Sequence, residues 1–64
     1  MKKYFNYEGG NILDKVKEAL EIEIVATLGI TYYTVINNIK YEIIDYGIVK
    51  ENTNLIFVEL VEVK

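Results

Sequence analysis

Seven amino-acid types are absent from this chain of 64 residues: cysteine, histidine, serine, arginine, glutamine, proline and tryptophan. Their absence excludes a thiol or serine nucleophile and a histidine base, which removes most common forms of covalent and acid–base catalysis. Zinc fingers need cysteine or histidine ligands and are excluded as well. Disulfides are impossible, so cysteine usage gives no indication of the cellular compartment. The sequence therefore says more about fold than about function.

Positive charge is scarce and comes from lysine alone. Seven lysines stand against ten acidic residues, which gives a net charge of −3. An acidic chain is an unfavourable partner for nucleic acid or an anionic membrane. The missing arginine also removes bidentate contacts to phosphate and guanine. The chain is rich in isoleucine, lysine, tyrosine and asparagine, whose codons are AT-rich, so an AT-rich genome is a simple explanation for the missing arginine.

Long hydrophobic runs are also lacking. The longest uncharged run, residues 24–39, contains three threonines, a glycine and two asparagines, and is too short and too polar to cross a bilayer. Lys2 and Lys3 resemble the start of a signal peptide, but residues 4–10 do not form its apolar region. We therefore expect a soluble, cytoplasmic protein with no membrane association, and a single domain over residues 1–64.

The lack of covalent or metal cross-links bears on oligomeric state. Hydrophobic residues make up 52% of the chain, so it should fold. A domain of this size buries only about 60% of the surface that its unfolded chain exposes. Small domains commonly compensate with disulfides, metal sites or oligomerisation. Since disulfides and Cys/His metal sites are excluded, the sequence predicts a homo-oligomer, most simply a homodimer.

The first third of the chain contains the signals of one helix. Residues 2–7 alternate weakly and indicate a possible short strand. Asn11 is suited to cap a helix N-terminus, with an acidic residue three positions later. Apolar residues then recur at helical spacing and predict a helix over about residues 12–20. The period changes to two after this helix, which predicts a strand over about 22–28 that Gly29 ends.

The pair Asn37–Asn38 is the clearest turn signal in the chain. Asparagine tolerates the positive φ angles that a two-residue hairpin loop needs. A hairpin centred there joins strands over 31–36 and from 39 onward, with Ile36 opposite Ile39 and Thr34 opposite Tyr41. One face of this hairpin is then nearly all apolar, and the other carries Tyr33, Lys40 and Glu42, among others.

The remaining residues predict two further stretches of strand. The strand that starts at residue 39 should run to about 50, with a bend or bulge at 45–47 because Gly47 permits one. The last strand, over about 55–63, is apolar on both faces and should be central or part of an interface. The predicted fold is α+β, with one helix packed on a four-stranded antiparallel meander and a possible short N-terminal strand. A small open β-barrel with one helix is the alternative.

Candidate chemistry is sparse. Glu21 and Glu23 would lie about 7 Å apart on one strand face, as a metal or acid pair could, but a solvated strand face looks the same. Asp45 is most simply a turn residue. Gly9–Gly10 before the helix resembles a phosphate loop only superficially, because the strand context and a following Lys/Thr are missing. We therefore predict no catalytic residues, no metal site and no cofactor.

Aromatic and aliphatic side chains on the sheet are the better candidates for a functional site. Tyrosine is enriched at protein interfaces. The residues predicted to form an interface are Tyr33, Tyr46, Phe57, Val61 and Val63. Tyr33 together with Lys40 could instead stack and neutralise single-stranded nucleic acid.

These features favour a small, non-enzymatic binding or regulatory module that acts by protein–protein contacts. Its size and composition are also typical of accessory proteins of mobile elements. The first alternative is single-stranded nucleic-acid binding through the aromatic sheet face. The second is a small carboxylate-based enzyme or enzyme subunit.

Overall fold

The fold consists of one helix and five strands. A computed structural model describes the backbone of residues 1–26 and 30–64, and the side chains of residues 1–22 and 31–64. Along the chain, the elements are β1 (Lys2–Asn6), α1 (Ile12–Ala19), β2 (Ile22–Ala26), β3 (Ile30–Ile36), β4 (Ile39–Ile48) and β5 (Leu55–Glu62). The predicted α+β class is confirmed. Residues 27–29, which include the end of the predicted second strand and its glycine, lie outside the described part of the chain.

All strand pairs are antiparallel, in the order β1-β5-β4-β3-β2. The predicted meander from β2 to β5 is present, and the possible first strand forms and pairs with β5, with Tyr4 opposite Phe57. The N-terminal ammonium extends this pairing by donating to the carbonyl of Leu60 at 2.8 Å. The sheet therefore has five strands, and β5 lies inside it between β1 and β4.

The sheet is open, so the alternative of a small barrel is wrong. β1 and β2 form opposite edges, separated by three strands, and within the described residues they do not pair. A barrel needs strand tilt and stagger that bring the two edges together, and one bulge does not supply them. The helix covers one face of the sheet in place of a closed barrel wall.

The hairpin between β3 and β4 has the predicted turn and register. Asn37 and Asn38 have φ angles of 52° and 67°, as a two-residue loop of type I′ requires. Ile36 lies opposite Ile39, and Thr34 lies opposite Tyr41. Turn chemistry and the segregation of apolar residues onto one face thus select the same register.

The irregularity in β4 differs from the prediction. The register shifts between Ile43 and Asp45, so the bulge lies at Ile44, before the predicted 45–47, and β4 ends at Ile48 instead of residue 50. Asp45 supports the bulge by accepting a hydrogen bond from the backbone amide of Tyr46 at 2.9 Å. Gly47 is regular strand opposite Phe57, and a Cβ atom there would lie only 3.0 Å from the Phe57 ring. Close packing of that ring, not a bend, explains the glycine.

Helix α1 begins and ends as its sequence indicates. The side chain of Asn11 accepts a hydrogen bond from the amide of Asp14 at 3.1 Å, which confirms the predicted N-cap. Gly9 and Gly10 have φ angles of +92° and +96°, a region that glycine enters at low cost. Within the residues described, no helix is long and apolar enough to span a membrane.

The core lies between α1 and one face of the sheet. Among the described side chains, its buried members come from the helix, from the residue that caps its C-terminus and from β5: Val16, Leu20, Ile56, Val58 and Leu60. Thr34, on the same face, is also buried. Because α1 is eight residues long and packs on this face alone, the opposite face of the sheet has no covering layer among the described residues.

Candidate functional site on the open face of the sheet

The sheet face opposite α1 is the candidate site, and we call it the open face. Strand alternation and the cross-strand register place residues from four strands on it. Its described side chains are Lys2, Tyr4 and Asn6 from β1, Thr31, Tyr33 and Val35 from β3, Lys40, Glu42 and Asp45 from β4, and Leu55, Phe57, Glu59 and Val61 from β5. Val63 continues the alternation of β5, since its amide donates to the carbonyl of Lys40 at 2.9 Å.

One end of the open face is aliphatic. Val35, Val61 and Val63 are 50%, 48% and 42% exposed. Val35 lies on β3, and Val61 and Val63 lie at the end of β5, on the other side of the start of β4. Tyr33 is half-buried beside them, and the ammonium of Lys40 lies 4.7 Å from the centre of its ring. This cation–π contact places a positive charge over the tyrosine ring, next to the valines.

The other end of the open face is aromatic. Tyr4 and Phe57 are cross-strand partners, and Phe57 packs against Gly47 on its other side. An aromatic side chain opposite a strand glycine covers backbone that the glycine leaves exposed. The ammonium of Lys2 lies 5.0 Å from the centre of the Phe57 ring, so a cation also contacts this end.

Carboxylates separate the two ends. Lys2, Glu59 and Asp45 occupy one cross-strand row, and Glu42 lies next to Val61 and Tyr33 in the following row. Both signs of charge are therefore present on the open face, with lysines towards its margins and acids near its middle. Such a distribution allows opposite charges to meet when two copies of the face approach each other.

A cleft of about 260 Å³ lies at the aromatic end, where β4 turns towards β5. Its walls combine two aromatic side chains, backbone at the end of β4 and three charged residues. The lining residues are Lys2, Tyr4, Ile48, Val49, Lys50, Glu51 and Phe57. The cleft therefore combines apolar surface with two lysine side chains.

The structure brings together four of the five predicted interface residues. Tyr33, Phe57, Val61 and Val63 lie on the open face, and Lys40 contacts Tyr33 as the nucleic-acid alternative required. Tyr46 lies elsewhere, because it pairs with Val58 and packs half-buried against the core under the helix. It therefore belongs to a different face from the other four.

The acidic candidates do not converge among the described residues. Glu21 is an exposed turn residue before β2, and the side chain of Glu23 lies outside the described part. Asp45 is exposed and holds the amide of Tyr46. No group of three or more potential metal ligands occurs within that part of the chain. Gly9 and Gly10 form the connection between β1 and α1, where the hydroxyl of Tyr7 donates to the Gly10 carbonyl at 2.8 Å.

Sequence reasoning missed the contribution of β1 and of the β4–β5 turn. Lys2 and Tyr4 join Phe57 only because β1 pairs with β5, more than fifty residues further along the chain. Lys50 joins them from the β4–β5 turn. The alternation of residues 2–7 indicated a strand but not its neighbour. The remaining signal was Gly47 opposite an aromatic residue, which is informative only once the β4–β5 register is known.

Comparisons with known protein families, curated protein sequences and solved structures found no match. Function must therefore be argued from the geometry of the open face.

Proposed function

We propose that this protein is a non-enzymatic binding module that acts by protein–protein contacts through the open face, and that its first partner is a second copy of itself. The observation that carries the proposal is the set of half-exposed valines, Val35, Val61 and Val63, on a face that α1 does not cover. Pairing two such faces would remove these valines from water.

The area of the open face is large enough for a dimer interface. Five strands at a spacing of about 4.8 Å, each roughly 20 Å long, give about 500 Å² in projection. Two copies would bury roughly 1,000 Å², which is near the lower limit for a specific interface. The short dimension of the protein, 17 Å, corresponds to one helix layer on one sheet, so the dimer would be a four-layer stack.

Sedimentation velocity of the wild type and of Val61→Lys tests the proposal. Val61 is 48% exposed, so the substitution should leave the fold intact. We expect a dimer at micromolar concentration for the wild type and a folded monomer for the variant, because an ammonium would be desolvated at the interface. Circular dichroism checks that the variant is folded.

Ile39→Lys is the matched control. Ile39 is 39% exposed but its partner Ile36 packs against the core, so it lies on the face that carries the helix. This variant should remain dimeric. A wild-type monomer at all accessible concentrations, or a dimer that persists in Val61→Lys, would refute the proposal.

The contact between Lys40 and Tyr33 supports a second candidate, single-stranded nucleic-acid binding at the aliphatic end. Three carboxylates nearby and the net charge of −3 oppose it. Titration of a labelled oligonucleotide at low salt separates the two functions. If the protein binds nucleic acid here, the wild type should bind the oligonucleotide and Tyr33→Ala should not. Absence of binding by the wild type at low salt would reject this candidate.

A further inference from the structure

We propose that the cleft at the aromatic end of the open face is a binding site for a small planar aromatic carboxylate. The proposal goes beyond self-association and does not rest on it. It is carried by the convergence of an aromatic pair, two ammonium groups and a cleft of about 260 Å³ in one place.

The aromatic surface comes from Phe57 and Tyr4. Phe57 is held in place because its ring packs against Gly47, where a Cβ atom would lie only 3.0 Å away. Tyr4, its cross-strand partner, is 55% exposed and forms a side wall. A flat ring stacked between such side chains gains contact area at low conformational cost.

The charge of the cleft selects an anion. Two lysines, Lys2 and Lys50, line the cleft against the single carboxylate of Glu51. Glu59 lies opposite Lys2 in the sheet, but it is not among the residues that line the cleft. In the described part of the chain, neither lysine forms an ion pair. Lys2 instead lies over the Phe57 ring at 5.0 Å, a contact that leaves its charge available to a ligand carboxylate next to the same ring.

The volume selects a small molecule. Ligand pockets for drug-sized molecules measure about 300–1,000 Å³. At about 260 Å³ this cleft lies just below that range, and so it suits a ligand with one or two rings. A helix or strand of a partner protein would not fit inside it. A ring that carries a carboxylate satisfies both the aromatic walls and the two lysines.

Titration with indole-3-acetate, followed by two-dimensional amide NMR, tests the site. The amide of Gly47 lies beside Phe57 and should report ring stacking directly. We expect saturable shifts at Gly47 and Phe57, with little response to tryptamine, which has the same ring but a positive charge, or to acetate, which has no ring. Lys2→Ala and Lys50→Ala should each weaken binding about two- to fivefold, in line with exposed ion pairs.

Lys64→Ala is the matched control, because it removes an exposed lysine that does not line the cleft. The wild-type dimer proposed above would cover the cleft, so the titration is made on Val61→Lys, which should be monomeric, and is repeated on the wild type. Shifts in Val61→Lys that are weakened in the wild type support both the site and the dimer, and equal shifts in the two proteins mean that the site exists without the dimer. No shifts in Val61→Lys would overturn the site itself. No shifts at about 10 mM ligand, an equal response to tryptamine, or unchanged affinity in both lysine variants would overturn the proposal.

Discussion

Among single residues, Thr34 has the least favourable environment in the described part of the structure. Its side chain is 1% exposed, and its hydroxyl has no hydrogen-bond partner. A buried hydroxyl without a partner loses its hydration and gains nothing in return. Tyr41 and Ile22 flank it on the face that carries the helix, so its surroundings resemble a site for a valine.

Replacing Thr34 with valine should therefore raise the free energy of unfolding by about 1 kcal/mol, because it removes the unpaired hydroxyl and keeps the branched shape. Chemical denaturation measures the change. Thr31→Val, at a half-buried position on the open face, is the control and should change stability by less than about 0.5 kcal/mol. A loss of stability in Thr34→Val would mean that the hydroxyl has a partner in solution.

Single residues also show where sequence reasoning succeeds and fails. Tyr33, Lys40 and Glu42 were predicted to share one face of the β3–β4 hairpin, and the observed register confirms it because strict alternation holds there. The face of Tyr46 was not predicted. The bulge at Ile44 inserts one residue and reverses the alternation that follows it, so Tyr46 packs towards the core. No local feature of the sequence fixes the position of that bulge to within one residue.

At the scale of elements, the β3–β4 hairpin is the most local structure in the sheet and was predicted in register. Its two asparagines occupy left-handed conformations, with φ of 52° and 67°. Type I′ turns favour glycine at the second of these positions, because asparagine retains a steric cost there that glycine does not have.

Asn38→Gly should therefore stabilise the protein by about 0.5–1 kcal/mol. Thermal or urea unfolding measures the difference. The same substitution at Asn6, an exposed residue in the extended strand β1, should destabilise by about the same amount, since glycine in a strand loses more entropy on folding. Equal effects at the two sites would contradict the assignment of the turn.

The pairing of β1 with β5 could not be predicted from the sequences of the individual strands. The two strands are at opposite ends of the chain, and any exposed strand edge could accept a short segment such as residues 2–6. What selects β5 is the match of Phe5 with the core residue Ile56 on one face and of Tyr4 with Phe57 on the other. That match creates the aromatic end of the open face and its cleft, so neither could be predicted before the strand order was known.

At the scale of the whole molecule, two independent observations meet. Because the chain has no disulfides and no Cys/His metal sites, the sequence predicts that it needs to bury additional apolar surface. In the described part of the structure, one helix covers only one of the two faces of the sheet. Among the described side chains, the core contains five buried apolar residues, all on the helix side. A second copy on the open face would supply apolar contacts to Val35, Val61 and Val63, which the helix leaves exposed.

Self-association of this kind should make thermal stability depend on protein concentration, because dissociation accompanies unfolding. A tenfold dilution lowers the free energy of unfolding of the dimer by about 1.4 kcal/mol. Two chains of 64 residues unfold with an entropy of about 0.27 kcal/mol/K. Dividing the first value by the second gives an expected fall in melting temperature of about 5 °C. Differential scanning calorimetry over a hundredfold range of concentration measures the shift. Ile39→Lys should keep this dependence and Val61→Lys should lose it, because only the second places a charge on the open face. A wild-type melting temperature that is independent of concentration would show that the monomer is stable with its open face in water.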